Sequence, residues 1–146
     1  MSLITWATNG WLKSHRTSNQ EVQQLFAMVE RDIDDAQKEN LSADWRFGIA
    51  YNAALKLCTI LLYANGFRPE KNLAHYRTLM ALPLILGNDR EDDATYLDVC
   101  RTKRNIVEYE HISGVTVENA EELIGFSLAL REDVLEYLKA NSPELM

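Results

Sequence analysis

The stretch RTKRNIVEYEH, residues 101–111, concentrates the side chains of this chain that could do chemistry. It runs from a basic cluster (Arg101, Lys103, Arg104) through an acidic, aromatic passage to His111, one of three histidines. A local basic patch of this kind can hold phosphate. Glu108 and His111 also form a Glu-x-x-His pair, half of what a di-iron carboxylate bundle uses.

The other half is missing, because His15 and His75 have no Glu three residues before them. No metal is therefore expected. DIDD, residues 32–35, lacks the glycine and the terminal Glu of a calcium loop and reads as a solvated helical face. There is no Gly-rich phosphate loop and no Ser or Cys nucleophile with a helper. Cys58 and Cys100 lie among apolar neighbours without a C-x-x-C spacing, which reads as small buried thiols in a reducing cytoplasm. Lys103 and Arg104 would lower the Cys100 pKa only if the thiol were exposed.

Helical spacing places Leu97, Cys100, Arg104, Val107 and His111 on one stripe. Tyr96, Val99, Lys103, Ile106 and Glu110 form the adjoining one. The expected inward face is apolar for two turns before Lys103 and Arg104 interrupt it. Arg104 and His111 stand seven residues apart, about 20° short of two turns and roughly 10 Å along the axis. In a continuous helix both point the same way. Two readings stay open. In one, Arg104 pairs with Glu108 or a carboxylate on a neighbouring helix, and His111 is simply favoured at a helix C-terminus. In the other, the two form a site.

The elements that must position these residues are helical. Leu3 to Lys13 reads as a short first helix carrying Trp6 and Trp11. Ser18 and Glu21 have the spacing of a capping box before a helix with Val22, Leu25, Phe26, Val29, Ile33 and Ala36 on one face. A third helix starts near Ser42, stops at Gly66 and is apolar nearly all round, so it should be the central one. Asn72 is the expected cap of a fourth helix, which Pro83 must kink or interrupt. GNDREDD opens the fifth, with Asn88 and Glu91 as a cap pair and acids in the first turn. Thr116 caps the last, whose apolar face is Ala120, Leu123, Ile124, Val134, Leu135 and Leu138. No stretch alternates as a strand would. Short loops between long helices imply an all-α, up-and-down antiparallel bundle of four main helices plus short accessory ones.

Composition sets the outer limits. The chain has 146 residues and is 47% hydrophobic, which suits a single domain, 1–146, with one core. Its net charge of −7 argues against non-specific coating of nucleic acid. The opening MSLITWATNGWLKSH has no charged segment followed by an apolar run, so no signal peptide is expected. The apolar segment from Phe47 to Ala64 is interrupted by Asn52 and Lys56 and reads as a buried core helix, not a membrane span.

Taken with a late helix in a helical bundle, RNIVEYEH resembles the motif of the HEPN superfamily. That motif is an Arg followed by four to six residues and a His, with Asn, Asp or His favoured directly after the Arg. Here it is Arg104, Asn105, six intervening residues in all, and His111; the shorter spacings fall on Tyr109 or Glu110. RTKRNIVEYE as a whole looks like small bacterial stand-alone members, and the architectural likeness spans about residues 18–140. The resemblance implies a metal-independent ribonuclease, often a toxin paired with a nucleotidyltransferase-type antitoxin, acting as a homodimer without a cofactor. It implies that His111 takes a proton from a ribose 2′-hydroxyl, Arg104 holds the scissile phosphate and Asn105 orients it. Arg101, Lys103 and Tyr109 are the implied RNA- or phosphate-binding residues. The alternative expectation is a non-catalytic HEPN-like module that dimerises or binds a partner protein or nucleotide. Either would be cytoplasmic, without membrane association.

Overall fold

The computed structural model describes residues 1–110 and 114–146, with the side chains of residues 107–110 outside the description. Among the described residues, seven α-helices and one short antiparallel strand pair follow the order α1 (Leu3–Thr8), β1 (Leu12–Ser14), α2 (Asn19–Ala36), α3 (Ala43–Ala64), β2 (Phe67–Pro69), α4 (Ala74–Met80), α5 (Leu82–Leu86), α6 (Glu91–Glu110) and α7 (Val117–Asn141). The chain is mostly helical, as its periodicity requires. α3 lies at the centre, packing most extensively on α2 and α7 and also on α6. By composition α3 is long and apolar enough to cross a membrane. Here Phe47, Ala50, Tyr51, Ala54, Leu57, Cys58 and Leu61 are buried in the main core, with Val22, Leu97, Leu123 and Leu138 around them.

Several ends are set by the residues the sequence marks. Ser18 Oγ accepts from the Glu21 amide at 3.1 Å and starts α2. The reciprocal half of that capping box is absent, because the Glu21 carboxylate turns to His15 and Thr17 instead. Thr116 and Asn119 make a complete box at the start of α7. Gly66, at φ 87°, takes the left-handed turn that ends α3, a conformation that costs glycine little. The cap of α4 is Leu73, itself left-handed at φ 56° and without a side-chain cap bond, so Asn72 lies outside the helix. Pro83 sits in the first turn of α5, where its missing amide costs nothing, and the expected interruption falls between α4 and α5.

Three further expectations are corrected. The first helix ends at Thr8, and residues 12–14 form a strand in register with 67–69 (Leu12 opposite Pro69). Three residues are too few for alternation to show. Asp32, expected on a solvated face, is 7% exposed. It is held by Lys56 Nζ at 2.5 Å, so the lysine that interrupts the apolar run of α3 answers a buried carboxylate on α2. Finally, Val99 and Ile106 are 60% and 43% exposed. α6 turns the line Ala94, Leu97, Cys100 inward, and of the adjoining stripe Tyr96 packs on the core while Val99 and Ile106 face outward.

Candidate functional site

Arg104 follows Leu97 and Cys100 on the inward line of α6, where the line leaves the core, and it is half-buried. Its side chain crosses to α3. The guanidinium carbon lies 5.5 Å from the centroid of the Tyr51 ring. Its Nε is 3.8 Å from where a Cβ on Gly48 would stand, one turn before Tyr51. Gly48, at ordinary contact distance, and the ring at 51 thus make the bed on which this arginine rests, and a cation over a ring face is itself attractive.

Around that bed stand Arg101 and groups that no spacing in the sequence brings to it. Arg101 donates from Nε to Asp98 Oδ1 at 2.9 Å, and its guanidinium carbon lies 5.9 Å from the Tyr76 ring on α4. His75 adjoins Tyr76 and is exposed. Packing around its imidazole, then the Arg104 and Arg101 charges, hold its pKa below the ordinary value of 6.5. His75 is therefore the neutral ring of the cluster near neutral pH. Tyr51 is fully buried, and its hydroxyl has no hydrogen-bond partner among the described residues. Burial pushes its pKa well up, against the pull of Arg101 and Arg104, so it keeps its proton. The result is two guanidiniums whose charges both reach His75 and Tyr51, on a chain of net charge −7. Such a group can receive an oxyanion.

The unpartnered hydroxyl has a testable consequence. A buried donor left unsatisfied costs about 1–3 kcal/mol. Tyr51→Phe keeps the ring under Arg104 and removes the donor, so thermal melting should show an unchanged or slightly raised Tm. A loss of several degrees would mean that the hydroxyl has a partner that supports the fold.

The other expected site residues fall as follows. Lys103 donates to Asn119 Oδ1 at 3.0 Å, and the same oxygen accepts from the Thr116 amide in the α7 cap. It thereby ties α6 to the start of α7. Asn105 is half-buried beside Arg104. His111 and the side chain of Tyr109 lie outside the described residues, as do the side chains of Val107, Glu108 and Glu110. His15 is elsewhere, stacked on Tyr63 at 4.1 Å and bonded to Glu21 at 2.7 Å. Burial draws the Glu21 carboxyl up, but bonds from His15 and Thr17 outweigh it and leave its pKa below the ordinary value.

Both cysteines are buried, and burial pushes Cys58 up to about 12 and Cys100 to about 11. Neither is a thiolate nucleophile near neutrality. Among the described residues no group of three or more His, Cys, Asp and Glu could hold a metal ion. Tyr51, His75 and Tyr76 were not legible because they reach α6 only through packing, from two other helices. The one local signal was a tyrosine set among the small residues Ala50, Ala53 and Ala54 of the central helix.

No protein-family model matches the chain, and searches of curated proteins and of solved structures find no match either.

Proposed function

We propose that this chain is a HEPN-like domain in which α2, α3, α6 and α7 are the four main helices of an up-and-down bundle. In this reading it works as a metal-independent endoribonuclease of the toxin type. The observation that carries the proposal is Arg104, seated on Gly48 and Tyr51 with Arg101 and His75 beside it. Arg104 holds the scissile phosphate and stabilises the charge that builds on its oxygens. His111 takes the proton of the ribose 2′-hydroxyl, whose oxygen attacks phosphorus. The bond to the 5′-oxygen breaks and that oxygen takes a proton from water, leaving a 2′,3′-cyclic phosphate and a 5′-hydroxyl. Asn105, Arg101 and Tyr109 orient the strand. A homodimer is supported by Val99 and Ile106, apolar residues exposed on the same helix. A nucleotidyltransferase-type antitoxin is the proposed natural partner, and the cytoplasm the proposed location.

A second reading has its own support. Arg101 is bonded to Asp98 and Lys103 to Asn119, so basic residues of the motif already serve internal partners. That favours a non-catalytic module binding a nucleotide or partner protein. Incubation with single-stranded RNA in excess chelator separates the two. The enzyme reading expects cyclic-phosphate ends and a loss of about 10²–10⁴-fold in His111→Ala, the scale of general acid–base catalysis. Absent cleavage, or equal cleavage by parent and variant, would sink it in favour of the binding module.

A further inference from the structure

Beside the arginine cluster, α1, Trp11 before β1, α4, α5 and α6 line an open cleft of about 520 Å³. Trp6, Trp11, Tyr76, Arg77, Glu91 and Thr95 are among the residues that line it. The volume falls in the range of small-molecule sites, and the lining has their character, apolar faces with a few polar groups. Two of its walls are flat. The Arg77 guanidinium carbon lies 3.9 Å from the centroid of the Trp11 ring, and Trp11 is braced by Trp6 at 5.8 Å, edge to face. Tyr76 supplies another ring. Aromatic faces and guanidinium planes are the surfaces on which bases stack. The polar groups at the cleft are complementary to such a ring: Glu91, an exposed carboxylate, accepts from an exocyclic amino group, and Thr95 offers an exposed hydroxyl.

Tyr76 also joins this cleft to the site already described. It lines the cleft, and its ring is the one that Arg101 faces at 5.9 Å. We infer that the cleft is a nucleobase subsite: it takes the amino-bearing base of a nucleotide whose phosphate lies at Arg101 and Arg104. The inference rests on the phosphate-handling reading and adds to it where the base goes. The same chemistry comes from a free nucleotide or from one residue of an RNA strand. An aliphatic occupant would gain nothing from the guanidinium plane or the carboxylate, and neither would a purely structural seam.

Tryptophan fluorescence tests this directly. Trp45, 68% exposed and outside the cleft, is removed by Trp45→Phe so that Trp6 and Trp11 report alone. The full-length chain is then titrated with adenosine monophosphate, inosine monophosphate, ribose 5-phosphate and a 2′-deoxy-blocked adenine dinucleotide. Adenosine monophosphate should quench the signal and ribose 5-phosphate should not. Trp11→Ala should weaken the nucleotide about tenfold or more, within the range for losing one base–aromatic stack, and leave ribose 5-phosphate unchanged. Because Trp11→Ala can disturb the N-terminal segment, Glu91→Ala is the second variant; it should erase a preference for adenosine over inosine monophosphate. Tighter binding of the dinucleotide identifies RNA as the source of the base, and equal binding a free nucleotide. Equal affinity for ribose 5-phosphate and adenosine monophosphate, unmoved by either variant, overturns the base subsite. Arg104→Ala acts separately: if it leaves every titration unchanged, the phosphate reading fails and the inference falls with it.

Discussion

Arg104→Ala should slow RNA cleavage about 10²–10³-fold, the loss that follows removal of one preorganised charge-stabilising donor. The reason lies in how the side chain is held. It passes Gly48 at ordinary contact distance and sits over the Tyr51 ring, 5.5 Å from its centroid, so the guanidinium is in place before an oxyanion arrives. Its fork can make two parallel bonds to a phosphate, which a lysine cannot. Arg104→Lys should therefore keep the charge, recover only part of the rate and lose more in kcat than in KM. The cation–ring contact is worth roughly 0.5–1 kcal/mol at a partly open site, so its loss in Arg104→Ala should lower the Tm by a few degrees. A collapse in stability alongside the activity would instead mark Arg104 as a structural residue.

The largest effect on stability should come from Lys56→Ala. Asp32 is 10% and Lys56 21% exposed at the side chain, and they meet at 2.5 Å between α2 and α3. Arg31 also reaches Asp32, at 3.5 Å, but from a side chain that is 62% exposed. Removing Lys56 leaves a buried carboxylate with that one distant, hydrated partner. Breaking a buried pair on one side costs about 3–5 kcal/mol; the residual exposure of Lys56 puts the expectation at the lower end. For a chain of this size, roughly 2–4 °C per kcal/mol puts the fall in Tm near 6–12 °C. Replacing both partners by apolar residues, Asp32→Leu with Lys56→Met, should recover most of that loss, since the desolvated charges leave together. A double variant no more stable than Lys56→Ala would contradict this account.

How much of this was legible depends on how local the signal is. Ser18, Gly66 and Thr116 mark helix ends through bonds or dihedrals within a few residues, and they stand where the sequence puts them. The central position of α3 follows from apolar residues around its whole circumference. Asp32 was misread because its partner is 24 residues away, on a helix whose lone lysine looked like an interruption. Val99 and Ile106 were misread because an apolar stripe can meet the core at one residue, Tyr96, and face outward at others. At the site, the spacing singled out Arg104, and the structure supplies its bed on Gly48 and Tyr51. His75 and Tyr76 could not be read from any spacing, since only the packing of α4 on α6 brings them to the arginines.

The central claim is that Arg104 and Arg101 receive a phosphate. The most direct measurement is a two-dimensional NMR titration of the arginine Nε–Hε resonances with a 2′-deoxy-blocked dinucleotide, which binds without being cleaved. The account predicts saturable shifts of Arg104 and Arg101, while Arg46, bonded to the Ala36 carbonyl, and Arg131, paired with Glu30, stay still. Shifts spread evenly over all the arginines, or none at Arg104 at saturation, would contradict it.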